Sequence, residues 1–205
     1  MQDFFAKKNK KFIKSSQDSA SLAGVMYYNG ITNLKKEQIM ISKAMQDAIN
    51  DQINKEMFSS YLYLSMAAYF EEINLPGAAN WMYIQAEEEN EHAMKLFQHL
   101  VDRGGRVHLK AIAAPETEWD GPMAAFKAVY AHEQLVTKSI HDLYETALKE
   151  KDYPAQVMLQ WFIDEQVEEE KNASEVVASM ERIEAHETAV LQLDHQLAKR
   201  KKEED

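Results

Sequence analysis

Apolar residues recur every three to four positions along four long stretches of the chain, and one carboxylate interrupts each stripe. Through Glu56 run Ile49, Ile53, Ser60, Tyr63, Ala67 and Phe70, and through Glu89 run Met82, Ala86, His92, Leu96 and Leu100. Through Glu133 run Phe126, Val129, Val136, Ile140 and Tyr144, and through Glu169 run Leu159, Phe162, Ala173, Val176 and Met180. This period places each set on one face of a helix, the face that packs inward. A single Glu in such a stripe is ordinarily at its edge, with the carboxylate reaching water. Four are harder to explain in that way. With helix starts near Ser42, Gly77, Pro122 and Pro154, each carboxylate lies about 11 to 15 residues in, or roughly 16 to 22 Å at 1.5 Å per residue, so all four can meet at one level. Ionised carboxylates there lose hydration worth roughly several kcal/mol each unless cations meet them.

The connections support that meeting. The segment from Met40 to Phe70 contains no Pro or Gly and is stopped by Asn74-Leu75-Pro76-Gly77. A second helix is expected from Ala78 to Asp102, closed by Gly104-Gly105. The 17 residues from Gly105 to Gly121 then carry Pro115 and Trp119 and end on the helix-starting pair Gly121-Pro122. Extended, that segment spans on the order of 55 Å, more than the ~42 Å of a 28-residue helix, so it can return along a whole bundle and leave the second and third helices parallel. A third helix to about Glu150, a turn at Lys151-Asp152-Tyr153-Pro154 and a fourth helix to about Arg182 follow. A short amphipathic helix near Thr188 to Lys199 precedes a solvated tail, residues 199–205. The expected fold is all-α: a four-helix bundle over residues 40–198 with a long crossover between helices two and three and a short C-terminal fifth helix.

Composition narrows the chemistry. There are no cysteines, which excludes thiolate metal sites and disulfides and suits a reducing compartment, so a cytoplasmic location is expected. No run of 18 apolar residues is present, so no membrane partner is expected. The net charge of -11 is uneven: residues 1–39 hold seven lysines against three acids, and the remainder holds 16 basic against 31 acidic groups. An acidic body repels nucleic acid and attracts cations. Oxygen-rich ligand sets with one imidazole suit iron, manganese or zinc better than copper, and carboxylates hold ferric as well as ferrous iron. A lone Glu from each of two helices with a Glu-x-x-His pair from each of the others is the ligand pattern of di-iron carboxylate bundles. Here Glu56 and Glu133 are the lone carboxylates, and Glu89-Asn90-Glu91-His92 is one complete pair. Gln166-Val167-Glu168-Glu169 fills the second position with Gln and Glu. Four carboxylates balance two divalent ions with His92 neutral. Without metal, like charges at close range keep at least one Glu protonated.

Residues 40 to about 198 resemble bacterial-type non-haem ferritins. The resemblance rests on Asn54-Lys55-Glu56-Met57-Phe58-Ser59-Ser60-Tyr61, Glu88-Glu89-Asn90-Glu91-His92, His132-Glu133-Gln134-Leu135, and Leu159-Gln160-Trp161 leading to Glu165-Gln166-Val167-Glu168-Glu169-Glu170. It implies that Glu56, Glu89 and His92 hold a first iron and that Glu89 bridges to a second held by Glu133 and Glu169, with Gln166 beside it. Tyr63 matches the family's tyrosine near the dinuclear centre; read alone, it is equally a core aromatic bonding a Glu. Glu88, Glu165 and Glu168 match a third, looser iron site, against the plainer reading of a solvated acidic face. Glu169 stands where bacterioferritin-like chains have histidine and animal heavy-chain-like ones a small residue. No Met matches a haem-ligand position, so no haem is expected, and the 11 Met residues read as core filler. Rubrerythrin-like peroxidases need cysteines that this chain lacks.

The resemblance further implies a ferroxidase: two ferrous ions are oxidised by dioxygen and the ferric product passes to a mineral inside a homo-oligomeric shell of 24 subunits. Two other readings stand beside it, a non-catalytic shell subunit with a vestigial site and a di-iron or di-manganese oxidase that stores nothing. Residues 1–39, with Lys7, Lys8, Lys10, Lys11 and Lys14, lack the apolar core of a secretory signal. They read as an over-extended start ahead of Met40, or as a flexible added arm.

Overall fold

A computed structural model describes residues 40–183 and 186–202. The expectations for residues 1–39 and for 203–205 lie outside the described residues. Among the described residues five helices follow in order: α1 (Lys43–Glu72), α2 (Pro76–Asp102), α3 (Pro122–Lys149), α4 (Tyr153–Ile183) and α5 (Glu187–Leu197). Among the described residues there is no strand, and no helix is long and apolar enough to cross a membrane.

Local chemistry sets the helix ends. The Ser42 side chain caps α1 by accepting from the Met45 N–H at 3.1 Å. Proline sits at the start of α2 and of α3, where its missing N–H costs nothing. Three helices close alike: Asn74, Gly104 and Lys151 take positive φ (60°, 70° and 53°), and the next residue's N–H returns to the carbonyl five back, Leu75 to Phe70, Gly105 to Leu100 and Asp152 to Ala147, each at 2.9 Å. At Lys151 this conformation is paid for by a residue with a Cβ, where glycine would be unstrained.

The segment between α2 and α3 is an extended strap on α1. Gln46 accepts from the Arg106 N–H at 2.9 Å. Asn50 accepts from the His108 N–H at 2.6 Å and donates to the Arg106 carbonyl at 3.0 Å. Asn54 donates to the Ala111 carbonyl at 3.3 Å and Ser65 to the Glu116 carbonyl at 2.6 Å. Polar side chains on α1 thus pair the strap's backbone groups along the length of the helix. The strap ends with Trp119 edge-on to Tyr69, ring centroids 5.3 Å apart, so α3 starts beside the end of α1 and runs parallel to α2.

The interior divides in two. One apolar cluster includes Ile41, Met45, Ile49, Ile53, Leu96, Leu100, Ile140, Leu159 and Phe162; the other includes Leu62, Met66, Phe70, Trp81, Met82, Phe126, Val129, Ala173 and Met180. Between them every helix of the bundle contributes polar side chains. The helix α5 packs on α2, where the Asp194 carboxylate accepts the Ala78 N–H at 2.8 Å at the positive end of that helix. A Cβ on Gly77 would stand 1.8 Å from the Asp194 carbonyl oxygen, so only glycine lets the two helices meet there. Contrary to the expected solvated tail, Arg200 lies 4.5 Å above the Trp81 ring and pairs with Glu88 at 2.7 Å, because an aromatic face and a carboxylate are both in reach.

Candidate metal centre

The polar layer is the one anticipated from the stripes. Glu56, Glu89, His92, Glu133, Gln166 and Glu169 are each between 0 and 4% exposed, so their polar groups have lost nearly all hydration. Ligand-type atoms of Glu56, Glu89 and His92 lie within 4.8 Å of one another. The His92 Nδ1 stands 3.5 Å from the Glu89 carboxylate, and the ring is wedged edge-on against Trp161 and Phe162, with centroids 5.4 and 5.9 Å away. No amide or hydroxyl donor reaches either oxygen of Glu89, Glu56 Oε2 or Gln85 Oε1; the Glu56 and Glu89 carboxyls lie beside each other. Buried acceptors of this kind cost free energy unless a donor or cation meets them.

The remaining carboxylates are held differently. Tyr63 donates its hydroxyl to Glu133 Oε1, while Gln166 Nε2 donates to Glu133 Oε2 at 3.2 Å. Gln85 Nε2 donates to Glu169 Oε2 at 2.8 Å, and Gln52 Nε2 to Glu56 Oε1 at 2.8 Å. His132, next to Glu133 in the chain, hydrogen-bonds Ser59 through Nε2 at 2.8 Å, and burial lowers its pKa to about 4, so it is neutral at physiological pH. Gln52 and Gln85 join the layer without having been expected there. Each lies one turn before a site glutamate on the same buried stripe, and that spacing is the signal that could have found them.

Electrostatics agree with the geometry. Burial raises all four glutamates: Glu133 to about 7, Glu56 above the ordinary carboxylate range, and Glu89 and Glu169 well above it. Repulsion adds to burial at Glu89, which faces the charges of Glu133, Glu56 and Glu169. Burial and the charges of Glu133 and Glu89 likewise push the Tyr63 hydroxyl up, so it remains a donor. The Glu56 and Glu89 carboxyls approach each other, a contact that is a hydrogen bond only when one carries a proton. A dry cluster of four acids with one imidazole suits divalent cations, whose charge replaces those protons.

Of the looser trio, Glu165 comes together with His92 and Glu169, their ligand-type atoms within 4.8 Å, whereas Glu88 is engaged by Arg200. Glu88, Glu165 and Glu168 all line one cavity of about 780 Å³, bounded also by His92, Glu169 and Arg200.

Such a bundle, with carboxylates and an imidazole buried at mid-height, defines the ferritin class, and the chain belongs to the ferritin family: the ferritin-like domain matches residues 46–183. Among its relatives are the bacterial non-heme ferritin of Staphylococcus haemolyticus, 41% identical over 144 residues (70% of this chain and 87% of that one), and that of Bacteroides fragilis, 40% identical over 161 residues (78% and 100%). The open-pore ferritin of the archaeon Archaeoglobus fulgidus has a similar solved structure, with a TM-score of 0.78 at 50% identity, covering 78% of this chain and 99% of that one.

Proposed function

We propose that this chain is the subunit of a cytoplasmic iron-storage shell that oxidises ferrous iron in its bundle core. The observation that carries this reading is the dry layer of Glu56, Glu89, His92, Glu133 and Glu169, in which no amide or hydroxyl donor reaches either oxygen of Glu89. Glu56, Glu133 and Glu169 each have an oxygen held by a neutral donor, whereas Glu89 has none. Glu89 is therefore the carboxylate best prepared to use both oxygens, one toward each of two ions. Glu56 and His92 complete the first ion's ligands; Glu133 and Glu169 complete the second's, with Gln166 oriented beside them.

Ferrous iron is the substrate. Its two ions displace the protons that keep this layer neutral, and each gives one electron to dioxygen. The residues hold the ions side by side, about 3.5 to 4 Å apart as in other two-metal sites, supply four negative charges that favour the ferric state, and exclude bulk water. The acidic cavity containing Glu88, Glu165 and Glu168 adjoins the centre through His92 and Glu169 and offers the ferric product a looser third site. Storage, a shell of 24 copies and the absence of haem rest on kinship with proteins named bacterial non-heme ferritins.

Aerobic addition of ferrous iron tests the reading. Rapid dioxygen uptake lost in Glu56→Ala and Glu133→Ala supports it; equal rates in wild type and variants refute it. A hydrodynamic mass equal to one bundle would retain the oxidase and remove the shell.

A further inference from the structure

A buried hydrogen-bond chain runs from the surface to Glu56. Lys55 Nζ donates to Ser139 Oγ at 2.5 Å, the Ser139 hydroxyl donates to Gln52 Oε1, and Gln52 Nε2 donates to Glu56 Oε1 at 2.8 Å. Gln52 is 1% exposed and Ser139 9%, while Lys55 is an exposed residue whose ammonium group reaches in to Ser139. The order of donors is forced. An ammonium group only donates, so Ser139 must accept from Lys55 and turn its own O–H toward Gln52. That fixes which end of the amide is which: Oε1 meets Ser139, and Nε2 is left facing the carboxylate. Without Ser139 the amide could rotate and present its oxygen to Glu56, where two acceptors would repel. The chain joins α1 to α3, and the cation at its outer end polarises every bond in the direction of Glu56.

We propose that Gln52, Ser139 and Lys55 form a positioning relay that holds one oxygen of Glu56 so that the other meets the incoming divalent ion end-on. The proposal rests on the reading of the centre as a divalent-metal site. Glu56 Oε1 is occupied by Gln52, and Glu56 Oε2, which no amide or hydroxyl donor reaches, is the atom left for the ion once metal displaces any proton shared with the Glu89 carboxyl. The relay makes the first half of the centre ready before metal arrives.

Anaerobic titration of the assembled protein with Co²⁺, followed by calorimetry and by the visible d–d bands, tests it. Gln52→Met weakens the first Co²⁺ by ~10-fold or more, the usual cost of losing a partner that orients a ligand. The d–d extinction also falls, because a released Glu56 binds through both oxygens and raises the coordination number. Lys55→Met weakens the first Co²⁺ in wild type but adds no further loss to Gln52→Met or to Ser139→Ala, since a broken chain carries nothing from the lysine. The cycle with Ser139→Ala carries the same test if Gln52→Met does not fold. Wild-type affinity in both Gln52→Met and Ser139→Ala, or an equal loss from Lys55→Met on every background, overturns the relay while leaving the centre intact. Equal first-site binding in wild type and Glu56→Ala removes the centre itself and the relay with it.

Discussion

On α1 and α2, Glu56 and Glu89 keep three of their four carboxylate oxygens without a donor, whereas across the layer both oxygens of Glu133 and one of Glu169 already accept hydrogen bonds. Each half offers two glutamates, but their preparation differs. An ion entering the first half meets oxygens that gain from its arrival. An ion entering the second must compete with Tyr63, Gln166 and Gln85. The first half also contains the imidazole, where the second has the amide of Gln166, a weaker ligand already turned toward Glu133 by its N–H. The first half should therefore fill first and more tightly, although burial penalises both alike.

The largest effect is expected from the residue common to the two halves. Glu89→Ala should slow ferrous oxidation by ~100-fold or more in a dioxygen electrode, because it removes a ligand from both ions. Next, the single-half variants should separate in anaerobic calorimetry: Glu56→Ala loses the tighter binding event and Glu133→Ala only the weaker, while the reverse pattern would invert the comparison. Stability gives a third view. Glutamates whose pKa is raised in the folded state favour folding below the unfolded value near 4.5, and that contribution disappears as pH rises through the folded values, about 7 for Glu133. Their contribution makes metal-free protein melt at lower temperature at pH 8 than at pH 6, and Glu89→Gln should raise the melting temperature at pH 8. Saturating divalent metal should reverse that trend, adding ~3 kcal/mol at a hundredfold excess over Kd. A Glu89→Gln variant melting below wild type at pH 8 would argue against repulsion in the layer. The smallest effect belongs to Tyr63→Phe, which removes a donor worth ~1 kcal/mol from Glu133. It should tighten the second site about fivefold and leave the first unchanged, as read by the same calorimetry.

The same contrast shows what the chain reveals unaided. Glu56, Glu89, Glu133 and Glu169 are legible because a carboxylate inside an apolar stripe violates the helical period, and equal depth along four helices predicts one layer. The crossover was readable from length and its Gly and Pro boundaries. Its attachment to α1 was not, since Gln46, Asn50, Asn54 and Ser65 sit on a polar face that reads equally as hydrated. Gln52 and Gln85 escaped because neutral amides draw no attention in a helix, although each follows the stripe's own spacing. Ser139 and Lys55 could not have been joined to Glu56 without knowing which faces of α1 and α3 meet. Arg200 reads as part of a charged tail until Trp81 and Glu88 are brought beneath it.

The most direct test of the centre is anomalous scattering from crystals soaked anaerobically in rising ferrous concentration. The account predicts one iron peak bounded by Glu56, Glu89 and His92 at low concentration, then a second bounded by Glu89, Glu133 and Glu169. Iron confined to the surface carboxylates, with none in this layer at saturation, would contradict it.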